Sequence, residues 1–268
     1  VKMIEGRDII AQAQSGTGKT ATFTIGMLES LKLELNNNQI LIMSHTRELS
    51  QQIYNVILNI SKYMKININL SVGGISIREN IDSLKKKPHI IIGTPGRILD
   101  MINRGYLPTV DIISLILDEA DEILSIGFMD TIYNIIKYLP EQAHIYLFSA
   151  TMPPEILELT DKFMDNSEKI LIDKENLTLE GIKQFYLNCN IYKWKYDVLI
   201  DLYESITINQ CIIYVNTRNI LTNLVDTLLE KNFPISYIHG ELSSQDRKKN
   251  LNDFKSGSTR ILISTDLL

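Results

Sequence analysis

The sequence predicts an α/β fold with two domains, each built on a parallel β-sheet. With 268 residues, the chain is long enough for two domains, because a domain commonly takes roughly 100–200 residues. Short runs rich in Ile, Leu and Val alternate with longer amphipathic stretches, which is typical of strands and helices that follow one another in α/β domains. A polar stretch, Lys174–Gly181, interrupts this alternation, and we expect it to be the linker between the domains.

Residues 1–173 are assigned to the first domain. Its apolar runs show little polar alternation, which indicates strands buried on both faces, as in a parallel sheet. The predicted strands are Asp8–Ala13, Ile40–His45, Asn69–Gly73, His89–Thr94, Ser114–Asp118, His144–Ala150 and Lys169–Asp173. After the second run, apolar residues recur every three or four positions, as one face of a helix requires. These residues are Leu49, Ile53, Ile57 and Ile60.

Residues 182–268 are assigned to the second domain, which repeats the alternation. A helix is expected from about Arg218 to Lys231. The predicted strands are Ile182–Cys189, Cys211–Asn216, Ile235–His239 and Arg260–Ser264. Because the sequence stops just after the last run, we expect this domain to be truncated at its C-terminus. The first residue is Val rather than Met, so the natural start is expected to lie upstream.

Composition excludes several classes of protein. Hydrophobic residues make up 44% and charged residues 22%, and no apolar run approaches the roughly 20 residues of a membrane span. The two cysteines, Cys189 and Cys211, are too few for a disulfide framework, which favours a reducing compartment such as the cytosol or nucleus. A net charge of −5 argues against wrapping of nucleic acid by a broad basic surface, so any such site is expected to be local.

A glycine-rich loop follows the first predicted strand and matches the phosphate-binding P-loop, with Ala13 in place of the first glycine. Glycines let the loop turn tightly and bring backbone N–H groups onto phosphate oxygens at a helix N-terminus. Lys19 would supply a cation to the β and γ phosphates, and the Thr20 hydroxyl would bind Mg²⁺. The expected nucleotide-binding residues are Ser15, Gly16, Thr17, Gly18, Lys19 and Thr20. The alternative is a glycine-rich turn without a ligand.

Two carboxylates, Asp118 and Glu119, end the fifth predicted strand. A P-loop ATPase needs an acid at such a strand end to hold Mg²⁺, largely through water, and Asp118 suits this role. Glu119 can orient and deprotonate the attacking water. Alone, the sequence from Asp118 to Asp121 is more typical of an acidic helix N-terminus. Its position downstream of a P-loop reverses this and favours the catalytic interpretation.

Taken together, these motifs resemble those of the DEAD-box RNA helicases, and the resemblance extends along nearly the whole chain. The matching segments are Ala13–Thr20, Thr46–Leu49, Gly73–Gly74, Thr94–Arg97, Asp118–Asp121, Ser149–Thr151, Ile213–Arg218 and Ser264–Asp266. The tract Leu177–Tyr186, with Trp194 and Ile206–Ile208, is similar to the branch that contains translation initiation factor 4A and its nuclear exon-junction paralogue.

The resemblance implies two RecA-like domains that together bind ATP with Mg²⁺ and single-stranded RNA. Lys19, Asp118, Glu119, Ser149 and Thr151 would form the catalytic set, with Ser149 and Thr151 contacting the region of Asp121. The residues implied to contact RNA are Thr46, Arg47, Gly73, Gly74, Thr94, Pro95, Gly96, Arg97, Thr217, Arg247 and Thr265. Such contacts hold phosphates and sugars without reading the sequence. For any single arginine, the alternative is a surface or helix-end charge.

Three residues depart from the family pattern. His45 stands where the family has proline, and Ser50 where it has alanine; we expect His45 to be a strand-end residue rather than a catalyst. Ser244 replaces a glutamine, which puts one RNA hydrogen bond in doubt while Arg247 remains. The segment with which the family reads adenine is absent from this sequence, so the choice of ATP follows from the resemblance alone. The family's arginine-rich motif VI is absent as well.

The sequence therefore predicts an RNA-dependent ATPase that opens short RNA duplexes or acts as an ATP-gated RNA clamp. The alternatives are a catalytically inactive RNA-binding scaffold, a DNA helicase and an unrelated P-loop ATPase. By resemblance, its partners would be single-stranded RNA or a short duplex and helical-repeat scaffold or regulator proteins. We expect a monomer without a membrane association, in the cytoplasm or alternatively the nucleus, with a role in translation initiation among the candidates.

Overall fold

The computed structural model describes residues 2–125, 127–164, 166–172, 182–191, 193–265 and 267. The chain forms two compact units, Val1–Ile182 and Lys183–Leu268. Both contain a parallel sheet with helices in the connections.

The first unit is built on a seven-stranded sheet in the order β3-β4-β2-β5-β6-β1-β7. Every pair of neighbouring strands is parallel. The strands are β1 (Ile9–Gln12), β2 (Ile40–Met43), β3 (Ile68–Ser71), β4 (Ile90–Gly93), β5 (Ser114–Asp118), β6 (His144–Ser149) and β7 (Glu168–Ile170). The four central strands β4, β2, β5 and β6 are almost wholly buried, which explains their unbroken apolar sequences.

Helices cover both faces of this sheet, and each face has its own apolar core. The helices are α1 (Lys19–Ser30), α2 (Arg47–Ile60), α3 (Ile77–Leu84), α4 (Pro95–Asn103), α5 (Ala120–Ser125), α6 (Met129–Ile136) and α7 (Pro154–Thr160). On one face, Phe23 and Met27 of α1 and Ile53 of α2 pack on alternate strand residues such as Ile42 and Ile116. The helices α4 to α7 pack on the residues between, such as Leu41 and Leu115. Burial of each such side chain contributes about 1.5–3 kcal/mol.

The second unit contains a three-stranded parallel sheet in the order β8-β10-β9. Its elements are α8 (Trp194–Ser205), β8 (Cys211–Tyr214), α9 (Arg218–Glu230), β9 (Ile235–Ile238), α10 (Ser244–Lys255) and β10 (Ile261–Ser264). Leu221, Leu224 and Leu228 of α9 pack with Ile261 and Ile263 of β10 in its core.

The expected parallel α/β architecture is confirmed in both units. One strand assignment is wrong: residues 182–189 form neither strand nor helix. In the described part of the second unit, no neighbouring strand pairs with this segment, and Phe185 and Tyr186 are 87% and 92% exposed. An apolar run becomes a strand only where a partner takes its backbone hydrogen bonds. The predicted linker, 174–181, lies outside the described residues. Among the described helices, none has both the length and the apolar character of a bilayer span.

Gly93, at the end of β4, tests how tightly the sheet is packed. A Cβ at this position would lie 2.2 Å from the carbonyl oxygen of Ser71 on β3 and 2.9 Å from the side chain of Ile98. Because neither a backbone strand nor a buried helix can give way cheaply, we expect Gly93→Ala to lower the free energy of unfolding by about 3 kcal/mol. Chemical denaturation of the chain measures this loss.

The matched control is Gly96→Ala, three residues further on in α4. A Cβ there would meet nothing within 4 Å, so we expect the stability to stay unchanged or to rise by up to about 1 kcal/mol. Equal losses in the two variants would contradict the packing argument.

Candidate active site

The polar residues of the first unit that the sequence singled out lie at one edge of the seven-stranded sheet. Because all its strands are parallel, their carboxyl ends lie on the same edge, where α/β proteins usually bind ligands. The proposed nucleotide residues follow the neighbouring strands β5, β6 and β1, and the proposed RNA residues of this unit follow the neighbouring strands β3, β4 and β2. The sheet order therefore places the two groups side by side, with the boundary between the neighbouring strands β2 and β5.

The glycine-rich loop connects β1 to α1. Gly16 and Gly18 have φ angles of 77° and 95°, in the left-handed region that glycine adopts without strain. A Cβ on either residue would meet nothing within 4 Å, so the space above the loop is open. Lys19 Nζ donates to the carbonyl oxygens of Ala13 and Gln14, at 2.8 and 3.1 Å. The loop thus has the room, the backbone shape and the cation that a polyphosphate requires.

Thr17 and Thr20 occupy different parts of this loop. Thr17 Oγ1 donates to the Gln14 carbonyl oxygen at 2.7 Å, which holds the loop closed on itself. Thr20 belongs to the first turn of α1, whose Phe23 and Met27 are buried against the sheet. This packing fixes the helix N-terminus, and with it Thr20, at the carboxyl edge.

Asp118 is the last residue of β5 and is only 3% exposed. Its Oδ1 accepts a hydrogen bond from the Glu119 backbone N–H at 3.2 Å. The pKa of Asp118 is raised from 3.8 to about 6, mainly by burial and then by the negative charge of Glu119, while Lys19 acts to lower it. A buried carboxylate whose charge is poorly compensated by protein groups fits a Mg²⁺ ligand, and the Thr20 hydroxyl is a second oxygen donor of the kind Mg²⁺ prefers.

Glu119 starts the turn from β5 into α5, with a φ of 54°. Burial raises the pKa of its carboxyl, whereas His45 lowers it. The Nδ1 of His45 lies 3.3 Å from Glu119 Oε2, but it is not aligned for a hydrogen bond and has no other hydrogen-bond partner among the described residues. The sequence singled out Glu119 but did not predict its contact with His45. The one sequence feature that could have pointed to it is the histidine before Thr46, where the family has proline.

Ser149 and Thr151 follow β6 and both contact Asp121 of α5. Their hydroxyls donate to the two carboxylate oxygens of Asp121, Ser149 to Oδ1 and Thr151 to Oδ2. The backbone N–H of Thr151 also donates to Ser149 Oγ at 3.2 Å. The contact that the resemblance implied is therefore present, and it ties the end of β6 to the helix that follows Glu119.

The RNA group of the first unit combines helix starts with close backbone approaches. Thr46 precedes α2, and its side chain accepts the backbone N–H of Leu49 at 3.2 Å. The guanidinium of Arg47 lies directly over Gly73, where a Cβ would come 2.8 Å from Nη2. Gly74 has a φ of 88°. Gly73 and Gly74 thus leave room for Arg47 and let the β3–α3 turn form.

Thr94, Pro95, Gly96 and Arg97 form the start of α4. Thr94 occupies the N-cap position without a side-chain cap, and Pro95 is the first helical residue. Arg97 turns back to α3: its Nη2 donates to the Ile75 carbonyl oxygen at 3.0 Å and its Nη1 to Asn80 Oδ1 at 3.4 Å. Asn80 was missed in the sequence because an isolated asparagine in a helix carries no recognisable signal.

The second unit gathers its proposed RNA residues at the carboxyl edge of its own sheet. Thr217 caps α9 by accepting the Ile220 N–H at 3.4 Å. Arg247 of α10 is 8% exposed, and its Nη2 donates to the Gly240 carbonyl oxygen at 3.1 Å. The backbone N–H of Thr265 donates to the Ile238 carbonyl oxygen at 3.3 Å. Arg247 thus also holds the loop after β9.

Comparison with known proteins agrees with this geometry. The family model of the DEAD/DEAH box helicase matches residues 1–159, and that of the helicase conserved C-terminal domain matches residues 194–268. The chain is 51% identical, over 98% of its length, to the ATP-dependent RNA helicase eIF4A of Candida albicans and 47% identical, over 99%, to the ATP-dependent RNA helicase FAL1 of Mycosarcoma maydis. It spans 66% and 67% of these two relatives.

Among solved structures, Saccharomyces cerevisiae Dbp5 bound to RNA and ADP BeF3 is similar, with a TM-score of 0.90 and 33% sequence identity. The match covers 98% of this chain and 66% of that one.

The buried charge of Asp118 makes a prediction about stability. A carboxyl whose folded pKa is raised from 3.8 to about 6 favours the protonated folded state, so its ionisation at neutral pH destabilises the fold by up to about 3 kcal/mol. We expect Asp118→Asn to raise the free energy of unfolding by roughly 1–3 kcal/mol at neutral pH. The gain should shrink as the pH falls through about 6 and vanish near about 4.

Urea unfolding over a pH series, without Mg²⁺ or nucleotide, measures this effect. Asp111→Asn, at an exposed position, is the matched control and should change little. A loss of stability in Asp118→Asn at neutral pH would contradict the electrostatic account.

Proposed function

Because the chain belongs to the DEAD/DEAH box helicase family, we propose that it is the ATP-driven motor of an RNA helicase. The activity would be RNA-stimulated hydrolysis of ATP, coupled to local opening of RNA duplexes or to clamping of RNA. The observation that carries the proposal is the shared carboxyl edge of the first unit's sheet, where the P-loop and the acidic residues lie beside a separate group of arginine, threonine and glycine residues. Each unit supplies residues of the kind that holds an RNA backbone.

The nucleotide end of this edge would bind ATP through the loop from Ser15 to Thr20. Lys19 would leave the two loop carbonyls for the β and γ phosphates, a replacement of weak partners by strong ones. Thr20 and Asp118 would hold Mg²⁺, largely through water. This ion supplies charge neutralisation for the phosphates when it is bound.

Glu119 is proposed as the general base. It would accept a proton from water as the water oxygen bonds to the γ phosphorus and the bond from that phosphorus to the β–γ bridging oxygen breaks. Its carboxyl has a raised pKa owing to burial, which brings it nearer to the pH at which a base works best. Ser149 and Thr151, through Asp121, would connect this centre to β6 and α5.

The RNA end of the edge would hold phosphates and sugars. Arg47 over Gly73 presents a guanidinium, and Thr46 and Thr94 each precede a helix N-terminus, where the positive end of the dipole favours phosphate. Thr217, Arg247 and Thr265 are proposed to act likewise in the second unit. For Arg97, whose guanidinium is engaged by Ile75 and Asn80, we propose that it shapes the site as well as adding charge.

The cellular setting is proposed from the relatives. The identity of 51% to a protein named eIF4A supports a role in translation initiation. We propose that the protein acts in the cytoplasm, with the nucleus as the alternative. We further propose that the protein acts as a monomer with helical-repeat scaffold or regulator proteins.

Substitution of Lys19 tests the nucleotide site. We expect Lys19→Ala to weaken ATP binding about 10- to 100-fold, since a charge-assisted contact to phosphate is lost and the loop offers no other cation. Titration with a fluorescent ATP analogue measures the affinity. Lys62→Ala, an exposed lysine away from the P-loop, is the control; near-normal affinity in Lys19→Ala would overturn the P-loop assignment.

Substitution of Glu119 separates binding from chemistry. Glu119→Gln keeps the shape of the side chain but removes the base, so we expect ATP and RNA to bind while hydrolysis falls by at least ~10²-fold. The measurement is steady-state turnover of the full-length protein with single-stranded RNA, beside DNA of the same sequence. If the wild-type protein bound RNA but did not hydrolyse ATP, it would be an inactive scaffold. Equal stimulation of ATP hydrolysis by DNA would contradict the choice of RNA.

A further inference from the structure

The two departures from the family sequence in the first unit lie in one short segment, the β2–α2 loop (Ser44–Thr46) and the first turn of α2. A proline at position 45 would fix the backbone and remove one N–H donor. His45 does neither, so the loop needs another source of rigidity. It also brings an imidazole to a place where the family has no polar side chain.

Hydroxyl groups supply the rigidity. Ser44 and Ser50 are both fully buried, and their oxygens lie 2.6 Å apart. Ser50 Oγ donates to the Thr46 carbonyl oxygen at 3.0 Å, and Ser44 Oγ is 3.2 Å from the same carbonyl. An alanine at position 50 would lose both contacts of the Ser50 hydroxyl and leave only the one between Ser44 and the Thr46 carbonyl oxygen. Ser50 therefore takes over part of the restraint that proline would give.

His45 uses the freedom of its side chain to reach the neighbouring strand. Met43 of β2 is in register with Leu117 of β5, and two residues beyond each lie His45 and Glu119. Within the described part of the chain, His45 is the only side chain at ion-pair distance from the Glu119 carboxylate, with Nδ1 3.3 Å from Oε2. This Nδ1 is buried and lacks a hydrogen bond, so a small movement would give it a bond to Glu119.

The position of His45 in the chain places the contact with Glu119 directly beside the proposed RNA site. Thr46 and Arg47, which follow it directly, are proposed to hold RNA, and Glu119 is proposed to be the base. A displacement of the loop by bound RNA therefore moves the imidazole relative to Glu119 with no intervening element. The same backbone loop thus carries the contact of His45 with Glu119 and the proposed contacts of Thr46 and Arg47 with RNA.

We propose that His45 is a positioning residue that aligns the Glu119 carboxylate when RNA is bound at Thr46 and Arg47, an inference that rests on the proposed function. Two partners of Glu119 are thereby coupled: the water it deprotonates and the loop that holds the RNA strand. The family's proline could not make this contact, so RNA stimulation in this protein has a component that the family pattern lacks.

The test compares His45→Ala with His45→Asn in the full-length protein. The alanine variant loses the contact, so we expect the RNA-saturated kcat to fall about three- to tenfold, while KM for ATP and the Kd for RNA change less than about twofold. Asparagine places an amide nitrogen close to the position of Nδ1, and it should restore kcat to within about twofold of wild type. Unchanged kcat in His45→Ala, or no rescue by asparagine, would overturn the proposal.

Two further variants separate positioning from loop rigidity. Ser50→Ala loosens the loop without touching Glu119, so it should weaken RNA binding more than it lowers kcat. In the Glu119→Gln background, His45→Ala should lower kcat by less than about twofold, because its effect acts through the lost carboxylate. An undiminished effect in that background would overturn the proposal.

Failure of the proposed function gives a different result. Wild-type protein without RNA-stimulated hydrolysis would overturn the helicase proposal and the role of His45 with it. Normal stimulation in wild type with an unaffected His45→Ala would overturn the role of His45 alone.

Discussion

The parallel hydrogen bonding of the first unit's sheet is the constraint on which the site depends. All seven strands run the same way, so the loops that follow β1 to β6 lie at one edge. The strand order decides which of these loops become neighbours. β5, β6 and β1 bring the acidic residues beside the P-loop, while β3, β4 and β2 bring the glycine turn beside the start of two helices. The apolar cores on both faces hold this order, since a strand shifted by one residue would turn its buried side chains to the wrong face. The precision of the polar edge therefore comes from apolar packing.

That packing also sets the electrostatics of the edge. Asp118 is almost fully buried because it ends a strand whose every residue is buried, and desolvation is the main cause of its raised pKa. The ionised carboxylate therefore destabilises the fold, and a cation bound there, as proposed, would reduce this cost. Glu119 has a milder version of the same environment, moderated by His45. Two adjacent carboxylates thus lie in different surroundings, which supports the different tasks proposed for them.

Much of the fold follows from the sequence because buried parallel strands leave unbroken runs such as Ile40–Met43, which local pattern reveals. The predicted strands ran past the observed ends, as at His45 and Gly73, since apolar pattern does not mark where pairing stops and a loop begins. The segment Ile182–Cys189 has a strand-like sequence without a strand partner, a tertiary fact that no local pattern contains. In the candidate site, the placement of motif residues such as Lys19 and Asp118 at the carboxyl edge follows from the sequence, because each comes directly after a recognisable strand or loop. The partners Asn80 and His45 could not be predicted in this way, because their contacts cross from one strand connection to another.

The hydrogen bonds of Lys19 have a consequence for the nucleotide-free protein. With its ammonium held by the carbonyls of Ala13 and Gln14, the P-loop is its own competitive inhibitor: any anion must displace an internal ligand before it gains the cation. A single weak anion such as chloride gains little by this exchange, whereas a polyphosphate engages the backbone amides of the loop as well. The Lys19 ammonium would therefore stay on the loop carbonyls in the presence of small anions and be released only to a polyphosphate, so the loop would select its ligand by valency.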